Sequence, residues 1–508
     1  MNNLNLMGNL KYFLFLILPA LIILNISNNK SYFYESVSYD PDYCYLLNGL
    51  NLASFHLVIG HTDHPGTPVQ LISALIIRTT YFLRITDHDL VTDVLTFPEY
   101  YLKIIATTFS IINLTFLILF GIILYRLTND LFYGLLFQAI PFYSTTVLKD
   151  SFYHDSPEPL LFLLIIILLF AFVLHEYYNK LQKQIRLNFS GSAKIKCIEI
   201  DLFLIILSIL AGLLLATKIN SFPIILFLIL FINKFKNKII FSVLTLLSFV
   251  LVTLPIIDQY TLFFDWVFRL FIHSGRYGAG SPDIVNINSF FTNLNLIIKH
   301  EPIFITTILI SILFLLLNYK SSSDRKKIRL LLLITFIQIL SIIVISKQFA
   351  FRYLIPILPT IFINIFIFLH ISKTTNRNKH IIILFFLAAC YFQIILQRLS
   401  KPSVTHEKVE NHKQNIYSYG CESKIYALHF GNEYSKRMFS KNLKKIYGEQ
   451  FFYNIWGKKF TNWDTEISLE SLKMKRKDWI LYINDYRVTK FKPGFKLARI
   501  SEEKYLIE

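Results

Sequence analysis

Long apolar runs are the feature that most limits what this chain can fold into. About 20 helical residues cross the roughly 30 Å hydrocarbon core of a bilayer, and runs close to that length recur along the first four fifths of the sequence. Only 17% of the residues are charged while 54% are hydrophobic, a balance that soluble chains of 508 residues do not have. The sequence therefore predicts an all-α, polytopic integral membrane protein.

Eleven segments are predicted to cross the membrane. The first follows Lys11 and is interpreted as an uncleaved helix, because no small-x-small cleavage site comes after it. The predicted spans are residues 12–26, 101–125, 131–148, 159–176, 202–216, 222–232, 239–257, 303–319, 330–345, 353–371 and 381–396.

One further apolar segment, residues 69–83, decides the sidedness of the whole chain. It is short, and Arg78 and Arg84 lie near its end. If it lies along the membrane surface, the cytosolic loops that follow it hold 17 Lys and Arg residues, and the opposite loops that follow it hold 7. A spanning segment would reverse this bias and violate the positive-inside rule. We therefore predict an amphipathic interface helix within a large first external loop.

The basic net charge does not indicate a nucleic-acid partner. The charge of +18 comes from residues that flank apolar segments, and no basic run is interleaved with a soluble binding fold. The four cysteines have no CxxC spacing, so no zinc or redox motif is indicated.

The composition changes sharply near residue 398. Residues 399–508 are rich in Lys and contain short alternating runs such as 479–483. We predict a transmembrane domain over residues 1–398 and a small α/β or mostly β domain over residues 399–508. With eleven spans and a cytosolic N-terminus, the second domain is extracytosolic.

The first external loop is dense in polar groups that a linker does not need. It contains Asp40 and Asp42, followed by Tyr43, and later Asp63 and His64. Polar groups at the mouth of a helical bundle are candidates for a functional site. The alternative is a solvated loop whose acidic residues only form turns.

The second external loop and two isolated cations lie on the same predicted side. Asp155 directly precedes the Ser156-Pro157 start of a helix, so it is a site candidate or an N-cap. Lys218 and Arg352 stand at the outer ends of apolar segments, against the positive-inside trend. An anion such as phosphate explains such cations, and snorkelling to lipid headgroups is the alternative.

The long loop over residues 258–299 adds Arg269, His273 and Arg276. His273 together with Asp63 is a candidate site for a divalent metal, although no short ligand spacing such as HExxH supports it. The alternative is a structural or solvated histidine. No other cofactor is predicted.

In element order, residues 10–400 resemble the polytopic glycosyltransferases of the C-type (GT-C) fold, the group that includes protein O-mannosyltransferases and the aminoarabinose transferase of lipid A. The resemblance rests on five short matches: Asp40-Pro41-Asp42-Tyr43 as the first-loop acidic motif, Asp63-His64-Pro65 where relatives carry Glu-Lys-Pro, Asp155 as the second-loop acid, Thr217-Lys218 at the end of a helix, and Arg352-Tyr353-Leu354-Ile355-Pro356 as an Arg-Tyr-Leu-x-Pro step.

This resemblance implies an inverting transfer of a sugar from a polyprenyl-phosphate donor to an acceptor hydroxyl on a lipid, glycan or protein. It implies Asp40 or Asp42 as the general base and Asp155 as a residue that orients the acceptor or a cation. The phosphate-binding set is Lys218, Arg352, Arg269 and Arg276, and Tyr43, Asp63 and His64 are substrate-loop residues. The protein is expected in a bacterial inner or plasma membrane, with its active site on the extracytosolic side.

Two other classes of membrane protein use similar residues. A transporter or flippase of a lipid-linked or anionic solute predicts ionisable groups inside its spans and repeated halves, and the sequence shows neither clearly. An O-antigen ligase or polymerase predicts a large external loop late in the chain, whereas the large loop here follows the first helix.

Overall fold

The computed structural model of the chain is predominantly helical. It describes residues 2–28, 33, 42–60, 66–178, 184–187, 198–274, 280, 282–283, 285–318, 325–371, 388, 392, 423–428, 444–454, 458–463, 465–475, 479–482, 497–501 and 504–507.

Seventeen α-helices and nine strands have bounds that the structure describes, besides several 3-10 turns and the helical residues 444–447. The helices are α1 (Asn2–Asn28), α2 (Asp42–Ala53), α3 (Thr67–Leu83), α4 (Leu90–Thr96), α5 (Pro98–Thr128), α6 (Leu131–Gln138), α7 (Thr145–Asp150), α8 (Pro157–Tyr178), α9 (Leu202–Thr217), α10 (Phe222–Phe231), α11 (Phe235–Val252), α12 (Tyr260–Ile272), α13 (Ile287–His300), α14 (Pro302–Asn318), α15 (Arg325–Lys347), α16 (Ile361–Ile371) and α17 (Leu469–Lys475). The strands are β1 (Gln184–Leu187), β2 (Ile198–Asp201), β3 (Ser423–Leu428), β4 (Phe451–Asn454), β5 (Lys459–Thr461), β6 (Glu466–Ile467), β7 (Trp479–Tyr482), β8 (Leu497–Ser501) and β9 (Lys504–Ile507).

Four helices of the described chain are long and apolar enough to cross a membrane: α5, α8, α11 and α15. They overlap four of the predicted spans, although α11 ends at Val252, where the predicted span 239–257 gives way to a 3-10 turn over Leu254–Gln259. A fifth candidate is the pair α13 and α14, whose axes meet at 94°. Shorter apolar helices occur in α1, α9, α10 and α16. The chain thus has the helices of a membrane protein, and the count of eleven spans stays a prediction.

The predicted span at residues 131–148 is wrong as a single helix. The segment divides into α6, a 3-10 turn over Ile140–Tyr143 that contains Pro141, and α7. Each helix has its own N-cap: Asp130 accepts from the Phe132 amide, and Ser144 accepts from the amides of Thr146 and Val147. A proline and a new cap interrupt the helical hydrogen bonds although the segment remains apolar.

The predicted span at residues 353–371 is also interrupted. Phe351–Leu354 and Leu358–Thr360 are 3-10 turns, and α16 begins only at Ile361. Pro356 and Pro359 lie in this region, and neither has an amide to donate within a helix. The predicted span at residues 381–396 lies outside the described residues except for residues 388 and 392.

Contacts divide the chain into two compact units. The first comprises Met1–Asn29, Asp63–Pro68 and Thr107–Ser400. In it α11 packs closely on α9, where Gly212 faces Ser248, while the side chains of Ile239, Val243 and Leu246 are exposed. Apolar side chains exposed along a helix of this length are expected where lipid surrounds the protein.

The second unit comprises Lys30–Thr62, Val69–Ala106 and Lys401–Glu508. Its strands form a seven-stranded mixed sheet in the order β6-β5-β4-β3-β7-β9-β8. Strand β3 pairs in parallel with β4 and β7, and the remaining pairs are antiparallel. Helix α17 lies in the connection from β6 to β7, and its Leu472 carbonyl accepts a 2.8 Å hydrogen bond from the indole of Trp479.

Helices α2 and α3 touch within the second unit. A Cβ on Gly49 would come within 3.1 Å of the Ser73 side chain, so the two helices cross there at close range. One face of α3 is buried at Val69, Gln70, Ser73 and Ile77, and other positions, including Leu75 and Phe82, are exposed. Helix α3 contains the predicted interface segment 69–83, and its position at a membrane surface stays a prediction.

Candidate functional site

A buried ion pair marks the candidate site of the first unit. Glu158 lies in the first turn of α8, where a negative charge is favoured by the helix dipole. Its Oε1 atom accepts a hydrogen bond of 2.5 Å from Nζ of Lys218, the residue directly after α9. Both side chains are almost completely buried, at 2% and 0% exposure. A pair so far removed from water persists only because each charge compensates the other.

Arg352 joins this pair from a third part of the chain. It lies in the 3-10 turn Phe351–Leu354, and its charge acts on the Glu158 carboxylate, as that of Lys218 does. The next residue, Tyr353, presents its ring 5.0 Å from Nζ of Lys218. The carbonyl of Tyr353 also accepts a 2.8 Å hydrogen bond from the Asn220 amide. The sequence-predicted cations Lys218 and Arg352 are therefore brought together around one carboxylate.

Polar residues of α5 fix the loop that carries Asp155. The Asn113 amide donates to the carbonyls of Ser151 and Pro159, at 3.0 and 3.1 Å, and so holds both ends of the loop. The Ser110 hydroxyl accepts from the amide of Tyr153, whose φ of 59° lies in the left-handed region. Asp155 is fully buried within this loop, three residues before the ion-paired glutamate.

Asp150 adds a second carboxylate at the end of α7. Burial raises the pKa of this carboxyl group, and the charge of Glu158 acts in the same direction. The charges of His154, Lys149 and Arg352 oppose that increase. Asp150 therefore interacts with the same arginine as Glu158, and the two carboxylates belong to one cluster.

Glu301 is a third buried carboxyl group, 1% exposed, in the single-residue break between α13 and α14. Its Oε1 atom accepts hydrogen bonds from the hydroxyls of Ser144, at 2.9 Å, and Thr146, at 2.7 Å. Burial raises its pKa to about 7; the two hydroxyls oppose this rise and the charge of Asp150 adds to it. The protonated form of this carboxyl group is therefore favoured up to a higher pH than that of an exposed glutamate.

The second unit contains the described part of the first-loop acidic motif. Asp42 is 1% exposed in the first turn of α2. The hydroxyl of Tyr43 donates a 2.5 Å hydrogen bond to Oε1 of Glu99, and Oε2 of Glu99 accepts from the Phe33 amide at 3.1 Å. This arrangement gives Tyr43 a structural partner, so a substrate contact through its hydroxyl would compete with Glu99.

The remaining predicted site residues are placed elsewhere or lie outside the described residues. Arg269 forms an exposed i,i+4 ion pair of 2.9 Å with Asp265 on α12. His273 directly follows α12, with its Nδ1 atom 3.1 Å from the Gly280 carbonyl oxygen. The predicted residues outside the described part of the chain are Asp40, Asp63, His64 and Arg276.

A metal site of this kind needs three or more His, Cys, Asp or Glu side chains close together. Within the part of the chain that the structure describes, no such group is found. The predicted metal pair, His273 and Asp63, includes a residue outside that part. The metal assignment therefore stays a prediction.

Sequence reasoning missed Glu158 and Glu301 and used Asp150 only as part of a loop. One signal was present: an acid that directly adjoins a long apolar segment needs a partner. Glu158 precedes the apolar run of α8 and Glu301 precedes that of α14.

The chain matches no protein-family model, no curated protein and no solved structure.

Proposed function

We propose that the chain is a membrane glycosyltransferase that moves a sugar from a polyprenyl-phosphate donor to an acceptor hydroxyl on the extracytosolic side, with inversion at the anomeric carbon. The proposal combines the residue motifs that resemble GT-C enzymes with the charged cluster of the first unit. Such a donor has a lipid chain and a charged headgroup, so its enzyme needs apolar helices beside a polar site.

The observation that carries the proposal is the convergence of two cations on one carboxylate. Lys218 and Arg352 both act on Glu158, so two cations converge on this carboxylate. Asp150 interacts with the same arginine. A phosphate group suits such a site, because charge-assisted hydrogen bonds to guanidinium and ammonium groups are among the strongest in proteins.

In the proposed reaction the bond from C1 of the sugar to the phosphate oxygen breaks while the bond from C1 to the acceptor oxygen forms. Polyprenyl phosphate leaves with the bonding electrons, and its growing negative charge is stabilised by Arg352 and Lys218. The proton of the acceptor hydroxyl passes to a carboxylate, a step worth about 10² to 10⁴ in rate. The resemblance assigns that role to Asp40 or Asp42 and an orienting role to Asp155.

Substitution of Arg352 tests the phosphate site. For Arg352→Ala in proteoliposomes with polyprenyl-phosphate sugars, we expect the apparent KM for the donor to rise about 10- to 100-fold, the value of one charge-assisted hydrogen bond. Arg329→Ala is the matched control, because this exposed arginine in the first turns of α15 donates at 2.7 Å to Asn233. An unchanged donor KM in Arg352→Ala would contradict the assignment and favour snorkelling.

Separate substitutions test the proposed acids. Of Asp40→Asn and Asp42→Asn, we expect one to abolish transfer while the amount of folded protein stays normal. Asp155→Asn is expected to raise the acceptor KM more than the donor KM. Full activity of both first-loop variants would remove Asp40 and Asp42 as bases.

A transporter or flippase of a lipid-linked or anionic solute is the second candidate, and one observation favours it. Transporters bind solutes at helix breaks that carry buried polar groups, and Glu301 stands in a break of 94° between two helices. Donor labelled in its sugar separates the candidates. Release of polyprenyl phosphate indicates transfer, whereas movement of intact donor across the bilayer indicates transport.

A further inference from the structure

The carboxyl group of Glu301 has an unusual environment. Its Oε1 atom accepts two hydroxyl hydrogen bonds, whereas no described residue donates to the buried Oε2 atom. A buried ionised carboxylate with one oxygen uncompensated is costly, and adding a proton to that oxygen removes the charge. The chemistry of the site therefore favours a proton as its ligand.

Asp150 is the charged group that acts directly on Glu301. It ends α7, whose first turn supplies the two hydroxyls bound to Glu301. A negative charge nearby disfavours the ionised form of a carboxyl group, so the charge of Asp150 adds to the effect of burial at Glu301.

Other ionisable groups lie near Glu301 and Asp150 and interact with these acids or with their neighbours. His300 ends α13, and its ring centroid lies 3.9 Å from that of Phe351. Burial lowers the pKa of His300, and the charge of Lys149 lowers it further. The groups that act on Asp150 are His154, Lys149, Arg352 and Glu158. Of these, Glu158 is paired with Lys218, so its charge is largely compensated.

We infer that Glu301 is a proton-binding site whose buried Oε2 atom holds a proton when the protein is at rest. The site stands on the break between α13 and α14 and on the hydroxyls of Ser144 and Thr146. It is independent of the proposed function, because both a transferase and a transporter can use a site that exchanges a proton near neutral pH. No proton transfer to substrate is assigned to it.

Infrared spectroscopy of the full chain in lipid nanodiscs tests the inference. A protonated carboxyl group has a C=O stretching band that shifts in deuterium oxide and disappears on ionisation. We expect such a band to titrate with a midpoint near pH 7, in accord with the pKa of Glu301. Glu301→Gln should remove the band, because glutamine has no carboxyl group. Its amide carbonyl still accepts from Ser144 and Thr146, which preserves the local fold.

Two further variants should move the midpoint in opposite directions. Asp150→Asn removes the repelling charge, so the midpoint should fall by about one pH unit. Ser144→Ala removes a donor that favours the ionised form, so the midpoint should rise. Asp265→Asn, which alters an exposed carboxylate of α12, is the matched control and should leave the band unchanged.

Two results would overturn the inference. A band of unchanged size and midpoint in Glu301→Gln would show that another carboxyl group carries the proton. An unchanged midpoint in both Asp150→Asn and Ser144→Ala would show that the titrating proton is not on Glu301. If Glu301→Gln does not fold, the opposite shifts expected of Asp150→Asn and Ser144→Ala still decide the question.

Discussion

Lys218 stands at the end of an apolar helix, and its counter-ion lies sixty residues earlier in the chain. The sequence predicts that an anion accompanies this lysine, because an isolated charge is costly there. It does not identify Glu158, since that pairing depends on how the first turn of α8 packs against the last turn of α9. The same limit applies to Tyr43, whose hydroxyl donates to Glu99 fifty-six residues away.

Breaking the buried ion pair should destabilise the protein. In Glu158→Gln the charge of Lys218 remains buried without its anion, and removal of one partner of a buried pair costs about 3–5 kcal/mol. We expect a lower thermal unfolding midpoint for the purified protein in detergent. Adding Lys218→Met to the same chain should restore most of the lost stability, because neither charge is then left unpaired.

An exposed ion pair in the second unit provides the matched control. Lys459 and Glu466 lie 2.8 Å apart with both side chains about half exposed, and such pairs contribute about 0–1 kcal/mol. Glu466→Gln should therefore change the unfolding midpoint little. Equal effects of Glu158→Gln and Glu466→Gln would contradict the importance given to burial.

At the scale of elements, apolar length predicts where helices lie better than where they break. The four long helices α5, α8, α11 and α15 overlap predicted spans. Residues 131–148 and 353–371 were predicted as single helices because hydropathy takes no account of Pro141, Pro356 or a serine cap. The break at Glu301 has the same origin: Pro302 begins α14, and the residue before a proline is disfavoured in helical conformation.

The contact of α9 with α11 depends on a small residue. A Cβ added to Gly212 would lie 2.5 Å from Cβ of Ser248 and 2.7 Å from the Thr245 carbonyl. Small residues allow this close approach of membrane helices. We expect Gly212→Ala to destabilise the protein by about 1–3 kcal/mol, the usual cost of overpacking, as a lower unfolding midpoint in detergent.

A second substitution separates this steric effect from a change in helix propensity. Adding Ser248→Gly to Gly212→Ala removes the side-chain clash and leaves the contact with the Thr245 carbonyl, so stability should recover in part. Because alanine favours helix more than glycine does, a higher midpoint in Gly212→Ala alone would show that the two helices separate at no cost.

For the whole molecule, sidedness rests on the loop charges and on the interface position predicted for α3. We expect a reporter that is active only outside the cytosol to be active when fused after Glu508. A reporter that is fluorescent only in the cytosol should be fluorescent when fused after Lys320, in a loop predicted to be cytosolic. A cytosolic signal at Glu508 together with the expected signal at Lys320 would contradict the odd number of crossings predicted between these two residues.

The proton on Glu301 links the stability of the whole protein to pH. Its pKa rises from an ordinary 4.5 to about 7 on folding, so the folded chain binds this proton more tightly than the unfolded chain. The resulting stabilisation is fully present below about pH 4.5 and is lost as pH rises through about 7, with a total of at most about 3 kcal/mol. In thermal unfolding at a series of pH values, the midpoint of the unsubstituted protein should therefore fall across this window relative to that of Glu301→Gln, which carries no titrating group at the break. Parallel pH profiles for the two proteins would mean that Glu301 keeps the same protonation in the folded and unfolded chains.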